Sequence, residues 1–258
     1  MSLAIDAPAA LPTCTLAGIP VARLSFAETV DRIASWLREP GCHRVATANL
    51  DFLRLAASDA KLRRDLSSSS LVTADGWPLV ALSRLHARPI PERVAGSDLL
   101  PALAARAARD GVPVYFLGGA PGAAEETAKR LRKRNPGLRV VGCDAPFLDW
   151  SDSNAAGEVA DRVAASGAQL LFVALGCPRQ EAFLAEHLER TGCRVGIGVG
   201  GSFDFVSGRR ARAPRWLQRL RLEWAFRLSL EPRRLVVRYL LDAGFLMRSL
   251  LDARGLAS

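Results

Sequence analysis

The sequence predicts an α/β fold, a largely parallel sheet with helices on both faces, followed by a basic helical appendage. Three observations predict it. Short apolar, β-branched runs alternate with amphipathic segments; glycines, carboxylates and amides gather directly after those runs; and positive charge is concentrated towards the C-terminus. With 258 residues, 49% of them hydrophobic, the chain can bury a full core and is not disordered.

In order, the runs are Arg44–Thr47, Leu71–Ala74, Val112–Leu117, Arg139–Gly142, Leu170–Leu175 and Arg194–Val199. Around and between them lie the amphipathic segments Phe26–Leu37, Asp98–Arg109, Ala123–Arg134, Ala155–Ser166 and Arg179–Arg190. Strands joined through helices of this length pair in parallel, because each helix returns the chain to the same end of the sheet.

The residues directly after each run are polar and turn-forming. After the first come Thr47-Ala48-Asn49, and after the second Ala74-Asp75-Gly76. Gly118-Gly119-Ala120-Pro121-Gly122 and Asp144-Ala145-Pro146-Phe147 succeed the third and fourth. The fifth leads into Gly176-Cys177-Pro178-Arg179-Gln180-Glu181, and the sixth into Gly200-Gly201-Ser202-Phe203-Asp204. Open α/β sheets bind ligands at the carboxyl ends of their strands, where strand order reverses. The pattern therefore marks a site without naming its chemistry.

Composition narrows the classes. No stretch of about 18 uncharged apolar residues occurs, so no helix is expected to span a bilayer. Met1–Leu16 lacks the basic start and apolar core of a secretory signal, and a cytoplasmic chain is expected. Cys14, Cys42, Cys143, Cys177 and Cys193 are scattered without a C-x-x-C pair and read as free thiols in a reducing compartment. Three dispersed histidines carry no metal signal, so no metal or other cofactor is expected. Of the net charge of +9, the segment Arg209–Ser258 holds +8, from twelve arginines against four acids, leaving about +1 for residues 1–208. Such asymmetry calls for an anionic partner: phosphates, nucleic acid or a membrane surface.

Among the strand-end residues, Asp75 is placed to serve as a general base if it reaches a substrate hydroxyl. It would equally cap a helix starting near Pro78. The Gly118–Gly122 turn would either cradle phosphate or be a plain tight turn, since it has neither G-x-G-x-x-G nor a Walker lysine. Glu181 suits the first turn of a helix, whereas capping does not require the neighbouring Gln180. Asp204 would hydrogen-bond a ribose or base edge, or order its own loop. Arg93 precedes a helix that Ser97 is expected to cap, and is either a ligand group or solvated.

In the tail, Arg209, Arg210, Arg212, Arg215, Arg219 and Arg221 fall within thirteen residues, beside Trp216 and Trp224. Arginine binds phosphate bidentately and tryptophan favours membrane interfaces. Across Leu235–Leu251, helical spacing puts Val236, Leu240, Met247 and Leu251 on one face and Arg234, Arg238, Asp242 and Ser249 on another. Such a helix can lie on anionic lipid, or pack on its own domain or on a second copy of the chain.

Taken together, the blocks resemble one family. These are Thr47-Ala48-Asn49, Ala74-Asp75-Gly76, Arg93-Val94-Ala95-Gly96-Ser97-Asp98, Leu175 to Glu181, Gly198 to Asp204, Arg212-Ala213-Pro214-Arg215-Trp216, Leu222-Glu223-Trp224, Arg227-Leu228, Glu231-Pro232-Arg233-Arg234 and Arg238-Tyr239. In order and spacing the chain, from about Gly18 to Tyr239, resembles the WecG/TagA/CpsF group, glycosyltransferase family 26. The resemblance implies a Rossmann-like core over 1–208 and an appendage over 209–258 that closes the site at the inner face of the membrane. It implies an inverting, metal-independent transferase with Asp75 as general base. Thr47, Asn49, Arg93, Gln180 and Asp204, with the Gly200-Gly201 turn, would hold a UDP-sugar donor and position a polyprenyl-diphosphate-linked acceptor. Arg212, Arg215, Arg219, Arg221 and Arg227 would neutralise the leaving diphosphate. Two departures stand out: Arg179 where lysine is common and Phe183 where tryptophan is common. The second is expected to reshape the pocket slightly.

Two other classes compete. A pI near 10.1 invites a nucleic-acid-binding reading, but the charge is not combined with aromatic stacking motifs. A nicotinamide-dependent oxidoreductase on the same fold lacks its glycine fingerprint. No nucleic acid is therefore expected as a partner. The sugar stays open; thirty-two arginines against three lysines suggest a GC-rich bacterial genome, and with it an exopolysaccharide glucosyltransferase of the xanthan-assembly type.

Overall fold

The computed structural model describes residues 11–146 and 153–253. It opens with an antiparallel hairpin, β1 (Thr13–Leu16) and β2 (Ile19–Ala22), turned at Ala17 and Gly18, both at positive φ. α1 (Phe26–Trp36) starts at a reciprocal cap: the Ser25 hydroxyl accepts from the Glu28 N–H, and the Glu28 carboxylate accepts from the Ser25 N–H. Next come β3 (His43–Ala48), α2 (Leu50–Ser58), α3 (Ala60–Ser67), β4 (Leu71–Ala74), α4 (Trp77–Ser83), α5 (Gly96–Asp110) and β5 (Val114–Gly118). The core closes with α6 (Ala123–Arg134), β6 (Val140–Asp144), α7 (Ser153–Ala165), β7 (Leu170–Ala174), α8 (Arg179–His187), β8 (Val195–Gly198) and α9 (Ser202–Val206). The tail forms α10 (Arg215–Arg219), α11 (Glu223–Leu230) and α12 (Pro232–Ala253).

All six expected strands form one parallel sheet, in the order β4-β3-β8-β7-β5-β6. Period-two alternation divides their side chains between two layers. Val114, Phe116, Leu170 and Phe172 face the helices α1, α5 and α6, while Tyr115, Leu117, Leu171 and Val173 face α7 and α8. The hairpin with α2, α3 and α4 builds a further cluster over Ala46, Ala48, Val72 and Ala74. β5 and β7 are neighbours, yet the helices after them, α6 and α8, lie on opposite faces. Their divergence opens a crevice at the carboxyl edge of the sheet.

Periodicity missed two features. The hairpin strands have four residues each, and α2, α3 and α4 have nine, eight and seven, all shorter than a window in which a helical repeat shows. Ser97 is not the cap of its helix. α5 begins two residues earlier than expected, at Gly96, and no side chain of its own N-cap Ala95 serves it. The cap comes from across the fold, where Asp75 Oδ2 accepts from the Gly96 N–H at 3.0 Å. Gly76, not Asp75, is the N-cap of α4.

α12 packs with its polar side inwards. Asp242 is only 7% exposed and pairs with Arg54 of α2, while Phe245, Leu246 and Leu250 rest on the cluster around α2. Val236, Leu240, Met247 and Leu251, the expected apolar face, are all exposed. No described helix is long and apolar enough to cross a membrane.

Candidate active site

The carboxyl ends of β3, β4, β5, β7 and β8 and three tail elements enclose one cavity of about 790 Å³. Thr47, Asn49, Asp75, Gln180, Gly200, Gly201, Asp204 and Arg227 line it, so eight of the residues expected from sequence converge. Arg93 and Arg212 stand behind the wall, in contact with carboxylates of the site. Arg219 and Arg221 are exposed; Arg221 lies over the Trp77 ring at 4.1 Å. Arg215 opens α10, and its side chain lies outside the described residues. Phe183 is buried in the α7–α8 layer and does not line the cavity, so this departure leaves the pocket unshaped.

Each side chain is set by local structure. Asn49 is the N-cap of α2: its Oδ1 accepts from Asp51 N–H at 3.0 Å and also from Arg238 Nη2 at 3.4 Å. Thr47 Oγ1 donates to the Gly198 carbonyl at 2.7 Å across the β3–β8 pair. Phe203 anchors the short helix α9, which carries Asp204, its ring edge-on to Phe116 at 5.7 Å in the core. Asp204 Oδ2 pairs with Arg210 Nε at 3.3 Å, and Arg210 Nη1 reaches Glu231 at 2.9 Å. The Gly118 turn packs tightly on β7: a Cβ there would come within 2.9 Å of the Ala174 backbone, and the Gly119 N–H donates to Ala174 O at 2.9 Å, while Gly119 and Ala120 line the cavity.

Gln180 is fully buried, with both ends of its amide engaged. Its Oε1 accepts from the Gly200 N–H at 3.0 Å and its Nε2 donates to Glu181 Oε1 at 2.8 Å. It braces the double-glycine turn against α8. Gly198 leaves the room, since a Cβ there would meet Gln180 Nε2 at 2.6 Å. Burial pushes the Glu181 carboxyl up to about 7, against the lowering effect of the Gln180 hydrogen bond. The native state then binds a proton that the unfolded chain releases near its ordinary 4.5, so stability falls as pH rises between about 4.5 and 7. The total is on the order of 3 kcal/mol. Glu181→Gln keeps an acceptor for Gln180 and removes the titration. Its denaturant midpoint is expected to stay flat from about pH 5 to 7 where the wild-type midpoint declines; parallel declines would remove Glu181 as the cause.

Asp75 sits where β4 ends. Its Oδ2 caps α5, and among the described residues its Oδ1 accepts no hydrogen bond. Burial raises its pKa, opposed first by Arg93, 3.7 Å from Oδ1, and then by the Gly96 N–H and Arg227. A quarter of its side chain stays open to the cavity. Such a carboxylate can take a proton from a hydroxyl beside it. It shares the cavity with cationic groups of the tail. Arg209, Arg210, Arg227 and Arg238 all line the cavity, with Tyr239. Arg227 Nε is buried without a hydrogen-bond partner, with its guanidinium 4.9 Å over the Phe205 ring, while Arg238 Nε pairs with Asp51 at 3.1 Å. Arg209, Arg210 and Arg238 were not among the expected site residues, although Arg209 and Arg210 belong to the arginine cluster. Arg238 was hidden on the polar face of an amphipathic helix. Among the described residues no group of three His, Cys, Asp or Glu side chains converges to hold a metal.

A family model described as glycosyl transferase WecG/TagA/CpsF matches residues 14–257. The chain belongs to the WecG/TagA/CpsF family. An N-acetylglucosaminyldiphosphoundecaprenol N-acetyl-beta-D-mannosaminyltransferase from Bacillus spizizenii is 35% identical over 190 residues, 74% of this chain and 72% of the relative. This WecG/TagA/CpsF chain is a glycosyltransferase on a parallel α/β sheet.

Proposed function

We propose that the protein transfers a hexose or N-acetylhexosamine, with inversion and without a metal, from a UDP-sugar to a polyprenyl-diphosphate-linked saccharide in bacterial surface-polysaccharide synthesis. One observation carries the reading: a carboxylate with a free oxygen, Asp75, shares a cavity with four arginines supplied by the tail. The acceptor hydroxyl attacks the anomeric carbon and its proton passes to Asp75 Oδ1. The bond from the anomeric carbon to the diphosphate oxygen breaks, and its electron pair leaves with the diphosphate. Arg227, with Arg209, Arg210 and Arg238, is placed to meet that charge, the task a divalent cation performs in other transferases. Thr47, Asn49 and Asp204 line the donor's enclosure; Gln180 holds the Gly200-Gly201 turn, and Arg93 stands near the base at 3.7 Å.

The division at residue 208 follows from the same division of labour, with a sheet core that holds the base and a tail over 209–258 that supplies the cations. The exposed apolar face of α12, with Trp216 and Trp224 also exposed, supports peripheral docking on the inner face of the membrane. Of the tail arginines that line the cavity, Arg210, Arg227 and Arg238 are held by carboxylates of the chain and do not form the outward stripe that a nucleic-acid groove reader would need.

The test is direct. The protein is incubated with a short-chain polyprenyl-diphosphate saccharide and a panel of UDP-sugars that includes UDP-glucose and UDP-N-acetylmannosamine. One donor is expected to be consumed, at a rate unchanged by excess EDTA. Loss of transfer with the chelator, restored by a divalent cation, would overturn the metal-free mechanism. If no donor is consumed, the reading of the substrates fails.

A further inference from the structure

Arg93 and Arg227 both lower the pKa of Asp75, and both are held by a third acid. Glu223 of α11 is 12% exposed in its side chain. Its Oε1 lies 2.5 Å from Arg227 Nη2, and its Oε2 lies 3.7 Å from Arg93 Nη1. Arg93 Nη1 is likewise 3.7 Å from Asp75 Oδ1, beyond hydrogen-bond distance, while Arg93 Nη2 donates to Asp98 at 2.9 Å. Asp98 is also held by Arg212, at 2.7 Å. The groups facing one another are thus three guanidiniums (Arg93, Arg212, Arg227) and three carboxylates (Asp75, Asp98, Glu223), with the Gly96 N–H on Asp75 as the remaining donor.

We propose that Glu223 is a positioning residue: lodged between Arg93 and Arg227, it keeps both guanidiniums from closing on Asp75, so that the carboxylate stays free to accept the substrate proton.

The physical reason is competition. A base clamped by two bidentate cations is stabilised in its ionised form and loses proton affinity, and a weaker base transfers less of the proton in the transition state. With Glu223 neutralised, three guanidiniums would face two carboxylates, and Arg93 and Arg227, the two whose charge already acts on Asp75, would lose the acid that competes for them. Because Glu223 belongs to the tail, docking of the tail and tuning of the base become one event. The role of Glu223 rests on the reading of Asp75 as the base.

The test compares wild type with Glu223→Gln, in the full chain, by the pH dependence of kcat and by carbon-13 NMR titration of the Asp75 carboxyl, assigned by difference from Asp75→Asn. Asp75 must be ionised to act, so activity rises with pH through its pKa. In Glu223→Gln the carboxyl pKa and the acid limb of kcat are expected to move down by about one unit. The plateau rate is expected to fall about tenfold. Glu223→Asp, which keeps the charge, returns the limb towards wild type. Arg227→Gln moves the carboxyl pKa the other way and serves if Glu223→Gln does not fold. An unchanged Asp75 pKa in these variants overturns the proposal, even if activity falls. A lowered carboxyl pKa with an unmoved rate profile upholds the role of Glu223 and removes Asp75 as the base.

Discussion

Asp75→Asn is expected to lower kcat by about 10³-fold while donor affinity stays within about threefold, measured by UDP release and by calorimetric titration of the UDP-sugar. Asparagine is isosteric, and its amide oxygen can still accept from the Gly96 N–H that the carboxylate caps at 3.0 Å. The start of α5, the Arg93 segment and the cavity wall should therefore survive. What disappears is the free oxygen able to take a proton, and the other described acids lining the cavity stand in closer ion pairs than Asp75 does. Asp51 is tied to Arg54 and Arg238, Asp204 to Arg210, and Glu231 to Arg210. Turnover within tenfold of wild type would place the base elsewhere.

Ending the chain at Gly208 is expected to leave a folded sheet core with transfer reduced by more than about 10³-fold. The arginines that share the cavity with Asp75, Arg209, Arg210, Arg227 and Arg238, all lie beyond that point. Removing a single preorganised charge-stabilising donor costs roughly 10²- to 10³-fold, and this deletion removes several at once. The core loses packing as well: Phe245, Leu246 and Leu250 leave the α2 cluster, and Asp51 and Arg54 lose Arg238 and Asp242. A lower melting temperature by circular dichroism should accompany the loss of activity. Sedimentation with anionic liposomes should weaken too, because the exposed Val236, Leu240 and Met247 go with the tail. Wild-type sedimentation of the truncated chain would rule out the tail as the anchor.

Much of the site is legible in the sequence because strand ends are legible. An apolar run that stops at Asn49, Asp75, Gly118, Gly176 or Gly200 places those residues at the same edge whatever the strand order. Roles are less legible. Gln180 shows in the sequence as a polar residue that no cap requires; only its neighbours reveal a strut, with the Gly200 N–H on one side and Glu181 on the other. Asp75 shows as a strand-end acid with an even choice between base and cap. The structure joins the two, one oxygen capping α5 and the other free.

The tail marks the limit. Its charge, its tryptophans and the helical spacing of α12 are plain in the chain. Helical periodicity assigns residues to faces but does not say which face meets the protein. Here the polar side carrying Arg238 and Asp242 turns inwards, because Arg54 and Asp51 of α2 offer it partners in the carboxyl-end crevice. The parallel α/β class, the strand-end site and the family could all be read from the chain alone, since each is written in local pattern and motif order. Which arginines share the cavity with Asp75, and how Glu223 holds two of the charges around it, emerged only once the chain was folded. Those pairings join residues far apart in the chain, and an ion pair is chosen by distance in space rather than by spacing along the backbone.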